Sequence, residues 1–95
     1  MKWLEIIRLR GAGIEEEGLL EEFLHSFKTI RPDRSGELNA IKTYRHTAFE
    51  NDLSVHLYWE SEEPGKEGSG LGLRLAQALK EFGLIDHSIW IEERK

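Results

Sequence analysis

Residues 2 to 10, KWLEIIRLR, carry apolar side chains at both parities: Trp3, Ile7 and Leu9 on one, Leu4 and Ile6 on the other. A strand covered on both faces reads this way, so the segment is expected at the centre of a sheet. Gly11-Ala12-Gly13 interrupts it. From Ile14 to Thr29 the apolar positions are Leu19, Leu20, Phe23, Leu24 and Phe27, spaced by three and four on one helical stripe. Glu15, Glu16 and Glu17 in the first turn and Lys28 in the last suit the helix dipole.

Pro32 ends the helical pattern in Arg31-Pro32-Asp33-Arg34-Ser35-Gly36, because it lacks an amide donor and disfavours helix before it. Leu38 to Phe49 and Leu53 to Glu60 are rich in Thr, Tyr, Val, Phe and Trp, which predicts a β-hairpin turning at Glu50-Asn51-Asp52. After the flexible-looking stretch 62–68, Ser69 or Gly70 opens a second helix with Leu71, Leu75, Leu79 and Phe82 on one stripe. Leu84 to Glu92 closes the chain as a fourth strand.

This order of elements predicts a single domain over residues 1–95, of α+β class. Short connections and right-handed crossovers make it a ferredoxin-like βαββαβ sandwich, with a four-stranded antiparallel sheet of order 4-1-3-2 and two helices on one face. The second face of such a sheet must meet water, a ligand or a partner.

Which side chains occupy that open face depends on the hairpin register. A two-residue loop would mix Lys42, Tyr44 and His46 with Val55, Leu57 and Trp59 under the helices. A three-residue loop, which separates polar from apolar residues better, sets Phe49 opposite Leu53, His46 opposite His56, Tyr44 opposite Tyr58, and Lys42 opposite Glu60. Ile41, Thr43, Phe49, Leu53, Val55, Leu57 and Trp59 then face the helices, together with Arg45. Tyr44, His46, His56 and Tyr58 lie open. In the last strand Ile85, Ile89 and Ile91 want the helix side, which places Ser88 and Trp90 among the open residues. A face of amphipathic aromatics suits an enclosed pocket or a homodimer interface. Histidine there offers acid–base chemistry near neutral pH. A metal needs a third protein ligand that the pattern does not supply.

Composition trims the alternatives. The net charge is −5, from 18 acidic and 13 basic residues, which disfavours nucleic acid, whose binding rests on cations displacing counterions. There is no cysteine, so disulfides, thiolate zinc and iron–sulfur clusters are excluded; the absence is neutral between compartments but fits the cytoplasmic setting expected here. No apolar run approaches the ~20 residues of a membrane span, and Glu5 interrupts any signal-peptide pattern. Gly68-Ser69-Gly70-Leu71-Gly72 resembles the glycine box of histidine-kinase-type ATP sites, but the companion motifs of such a site are missing. A loop leading into an amphipathic helix is the expected role.

One resemblance runs along most of the chain. The hairpin ending in Leu57-Tyr58-Trp59-Glu60-Ser61, after a first strand and an acidic helix, is similar to the small antibiotic-biosynthesis monooxygenase type of domain. That resemblance implies a dimeric α+β barrel in which two sheets face each other, and cofactor-free oxygenation of quinols or polyketide-like aromatics. Leu57 stands where those domains commonly carry an acidic residue. The resulting expectation is a homodimer that binds a small aromatic or hydrophobic ligand without a cofactor, with a cofactor-free monooxygenase as its enzymatic form. His46 and His56 are the candidate catalytic residues, and Tyr44, Tyr58, Trp59 and Trp90 the candidate ligand contacts. A non-enzymatic protein-interaction module is the competing class.

Overall fold

The computed structural model describes residues 1–11, 22, 23, 25, 26, 37–49 and 51–93. Four strands, β1 (Lys2–Gly11), β2 (Leu38–Arg45), β3 (Asp52–Glu60) and β4 (Gly83–Ile91), form one sheet in the order β2-β3-β1-β4. β1 pairs antiparallel with both β3 and β4, so apolar residues at both of its parities meet neighbours on either side. Trp3, Glu5, Ile7 and Leu9 share its covered face and are all buried. Leu4 and Ile6 lie half-buried on the other face, and Arg8 and Arg10 continue that face into solvent.

The β2–β3 hairpin departs from the expected register. Lys42 pairs with His56, Tyr44 with Ser54 and Arg45 with Leu53, and an irregularity lies between Leu38 and Ala40. β2 stops at Arg45, so Phe49 sits in the connection and is 63% exposed instead of facing the helices. Lys42 opposite His56, where Glu60 was expected, is a shift of four positions. An even shift keeps every side chain on its face, and Leu53, Val55, Leu57 and Trp59 are buried as expected.

Helix α1 (Gly70–Leu79) follows the loop after β3 and continues as a 3₁₀ turn, Lys80–Phe82. The Ser69 hydroxyl caps it by accepting from the Gly72 N–H at 2.8 Å. Leu75, Ala76, Leu79 and Phe82 from this element close over Trp3, Ile7, Leu9, Val55, Leu57 and Trp59 in one core. Full burial of each aliphatic side chain contributes about 1.5–3 kcal/mol. No helix among the described residues is long and apolar enough to cross a membrane.

The two-helix ferredoxin-like βαββαβ sandwich is therefore corrected. The described residues form a four-stranded antiparallel sheet with one bounded helical element, 10 residues of α-helix and 3 of 3₁₀. The helix expected at residues 14–29 lies outside the described residues apart from Glu22, Phe23, His25 and Ser26, which are helical. Phe23 packs against Phe82 with ring centroids 5.9 Å apart. The reason for the correction is physical: a 3.6-residue apolar stripe states that a segment can cover a face, but not where it docks.

Candidate functional site

Register arranges the open face in rows running across the strands. Ala40, Tyr58, Leu4 and Trp90 form one row; Lys42, His56, Ile6 and Ser88 the next; Tyr44, Ser54, Arg8 and Asp86 the third. Tyr58 and Trp90 flank Leu4 from either side, two strands and so about 9.6 Å apart at the backbone. A hollow of about 590 Å³ opens over this end of the face, lined by Leu4, Ala40, Lys42, Tyr58 and Trp90 among others. Its size falls within the range of small-molecule sites.

The aromatic side chains of β2 and β3 make contact across the hairpin. The Tyr44 ring packs 4.6 Å from the His56 imidazole, tilted by 57°. His56 in turn lies 6.3 Å from the Tyr58 ring. The Tyr44 and Tyr58 hydroxyls are 3.5 Å apart, and that hydrogen bond, with burial and the Tyr44 charge behind it, raises the Tyr58 pKa. Lys42 Nζ stands 5.4 Å from the Tyr58 ring centre, a cation–π contact. Ser54 Oγ and His56 Nε2 share a bond of 2.6 Å whose direction follows the imidazole tautomer. Burial lowers the His56 pKa from its ordinary 6.5, which favours the neutral ring.

Of the six residues singled out from the sequence, the structure gathers Tyr44, His56 and Tyr58 into this cluster and puts Trp90 on the same face. Trp90 is 58% exposed and donates to Ser88 Oγ at 2.9 Å. His46 does not face His56. It lies past the end of β2, about 13 Å along from Lys42, where its Nδ1 accepts from the Ala48 and Phe49 amides at 2.9 and 3.1 Å. Trp59 belongs to the covered face, 6% exposed and stacked on Trp3 at 5.4 Å, and borders the 590 Å³ hollow from that side. No group of three or more metal-ligating side chains occurs among the described residues.

The covered face holds a cluster that the sequence reading passed over. Glu5 is 0% exposed, and its carboxylate receives four hydrogen bonds. Oε1 accepts from Ser69 Oγ at 2.6 Å and Trp59 Nε1 at 3.1 Å; Oε2 accepts from the Ser69 amide at 3.1 Å and bonds His87 Nε2 at 2.6 Å. Because a carboxylate only accepts, His87 places its N–H there. Gly68 (φ +100°) and Gly72 lie so close that a Cβ on either would meet this carboxylate. The glycine-rich stretch thus makes room for Glu5 instead of cradling a phosphate. Every acceptor site is used and no surface is exposed, so the cluster clasps the loop and α1 to the sheet. Glu5 does share the parity of Trp3, Ile7 and Leu9, the one signal in the sequence that it is buried.

No protein-family model, curated protein or solved structure matches the chain.

Proposed function

We propose that the open sheet face binds a planar aromatic small molecule, in the hollow floored by Leu4 and walled by Tyr58 and Trp90, and that a second copy of the chain closes over it. The observation that carries this reading is the juxtaposition of an exposed Trp90 with the Tyr44–His56–Tyr58 cluster on an apolar floor. Offset or edge contacts between aromatic rings contribute about 0.5–1.5 kcal/mol each beyond burial. Lys42 beside Tyr58 and neutral His56 favour a ligand that also carries a phenolic hydroxyl. Calorimetric titration of 2-naphthol, alongside light scattering for mass, tests both parts. Binding that weakens at least tenfold in Trp90→Ala supports the reading, and equal binding in that variant sinks it.

One extension rests on this reading: a bound naphthohydroquinone passes a proton to the neutral His56 beside Tyr58, its anion supplies the electrons that reduce oxygen, and one oxygen atom enters the ring while the other leaves as water. Oxygen uptake with a bound naphthohydroquinone, lost in His56→Gln while the ligand still binds, is the result that extension requires. Uptake unchanged in His56→Gln removes it and leaves a binding module.

A further inference from the structure

The opposite end of the open face holds a second hollow, of about 340 Å³, which shares only Tyr44 with the aromatic cluster and no lining residue with the aromatic hollow. Arg8 and Arg10, two positions apart on β1 and so on one face, both line it. Neither forms an ion pair among the described residues. This is unexpected, because Asp86 stands opposite Arg8 and Asp52 opposite Arg10. Both guanidinium forks are left without a carboxylate among the described residues.

His46 supplies a third donor. Its Nδ1 accepts two backbone N–H bonds, so the neutral ring carries its proton on Nε2, and that N–H makes no bond to a described residue. His46 lines the same hollow, with Leu84, which is 72% exposed, providing an apolar wall.

We infer that this hollow is a binding site for a small organic monocarboxylate, its carboxylate taken by Arg8, Arg10 and His46 and its apolar body laid against Leu84. Guanidinium forks match the planar two-oxygen geometry of a carboxylate. The apolar wall selects an organic acid over inorganic phosphate, and Asp52 and Asp86, which also line the hollow, limit it to a ligand of single negative charge. The inference stands independently of the aromatic site.

Calorimetric titration of the full chain with cyclohexanecarboxylate, its neutral amide and inorganic phosphate tests it. The saturated ring avoids the aromatic preference of the other hollow. Binding of the carboxylate is expected to exceed that of the amide and of phosphate, to weaken at least tenfold in the Arg8→Gln/Arg10→Gln variant, and to persist in Trp90→Ala. Two outcomes overturn it: no carboxylate binding to the wild-type chain, or equal affinity in the double-arginine variant. Because Trp90→Ala disables only the aromatic site, failure of one assignment is distinguishable from failure of the other.

Discussion

His87 Nε2 lies 2.6 Å from Oε2 of Glu5, a bond between the edge strand β4 and the central strand β1 that crosses the sheet diagonally. In register, His87 faces Ile7 and Trp59 faces Trp3, so Glu5 draws a diagonal partner from each neighbouring strand. Ser69 adds two bonds from above, tying the helix cap to the same carboxylate. A single buried acid thus coordinates three strands and the start of α1.

Glu5→Gln is expected to destabilise the fold by about 1–3 kcal/mol, the range for leaving a buried hydrogen-bonding group without its partner. The amide would turn an NH₂ toward groups that are themselves donors. Ser69→Ala, which loses the helix cap and one bond to Glu5, is expected to cost about 1–2 kcal/mol. Urea unfolding of both variants measures these values; a change within about 0.5 kcal/mol for Glu5→Gln, typical of a surface site, would contradict the clasp.

Two glycines in one helical turn are expected to respond with opposite signs. A Cβ at Gly70 meets nothing within 4 Å, so Gly70→Ala should stabilise by about 0.4–1 kcal/mol through the unfolded chain. At Gly72 the same methyl overlaps the Glu5 carboxylate, and Gly72→Ala should destabilise by about 1–3 kcal/mol. Thermal melting of the pair decides it. If Gly72→Ala is also stabilising, the close approach of α1 to Glu5 is wrong.

These residues mark where the sequence was legible. Alternation placed Tyr44, His56, Tyr58 and Trp90 on the open face correctly although the hairpin pairing differs by four positions, because an even slip preserves parity. It failed for Phe49 and for the pairing of His46 with His56, since strand propensity does not announce that β2 ends at Arg45. The covering layer was less legible, because periodicity describes an element's face and not its neighbour. The Glu5 cluster was hidden for another reason. Its partners Trp59, Ser69 and His87 are 54, 64 and 82 positions away in sequence, and only the assembled sheet brings them together.

His56 gives the fold a pH signature. Its pKa falls below 6.5 on folding because burial penalises the charged ring. The unfolded chain therefore binds the proton more readily, and stability rises with pH across the interval between the two values. This contribution is fully present above pH 6.5 and is lost as pH falls through the lower, folded-state value. Thermal midpoints recorded from pH 8 to pH 5 are expected to fall less steeply in His56→Gln than in the wild-type chain. Parallel curves would show that His56 does not carry the shift.

The central claim, an aromatic site on the open face, is tested most directly by the indole N–H resonances of the three tryptophans during titration with 2-naphthol. All three border the hollow, but the indole N–H of Trp3 is held by Ser61 Oγ at 2.8 Å and that of Trp59 by Glu5 in the covered layer, whereas that of Trp90 bonds Ser88 on the open face. The account predicts that the Trp90 signal shifts most and saturates, with smaller changes at the other two. Movement of the Trp3 or Trp59 signals with Trp90 unchanged, or of none, would contradict it.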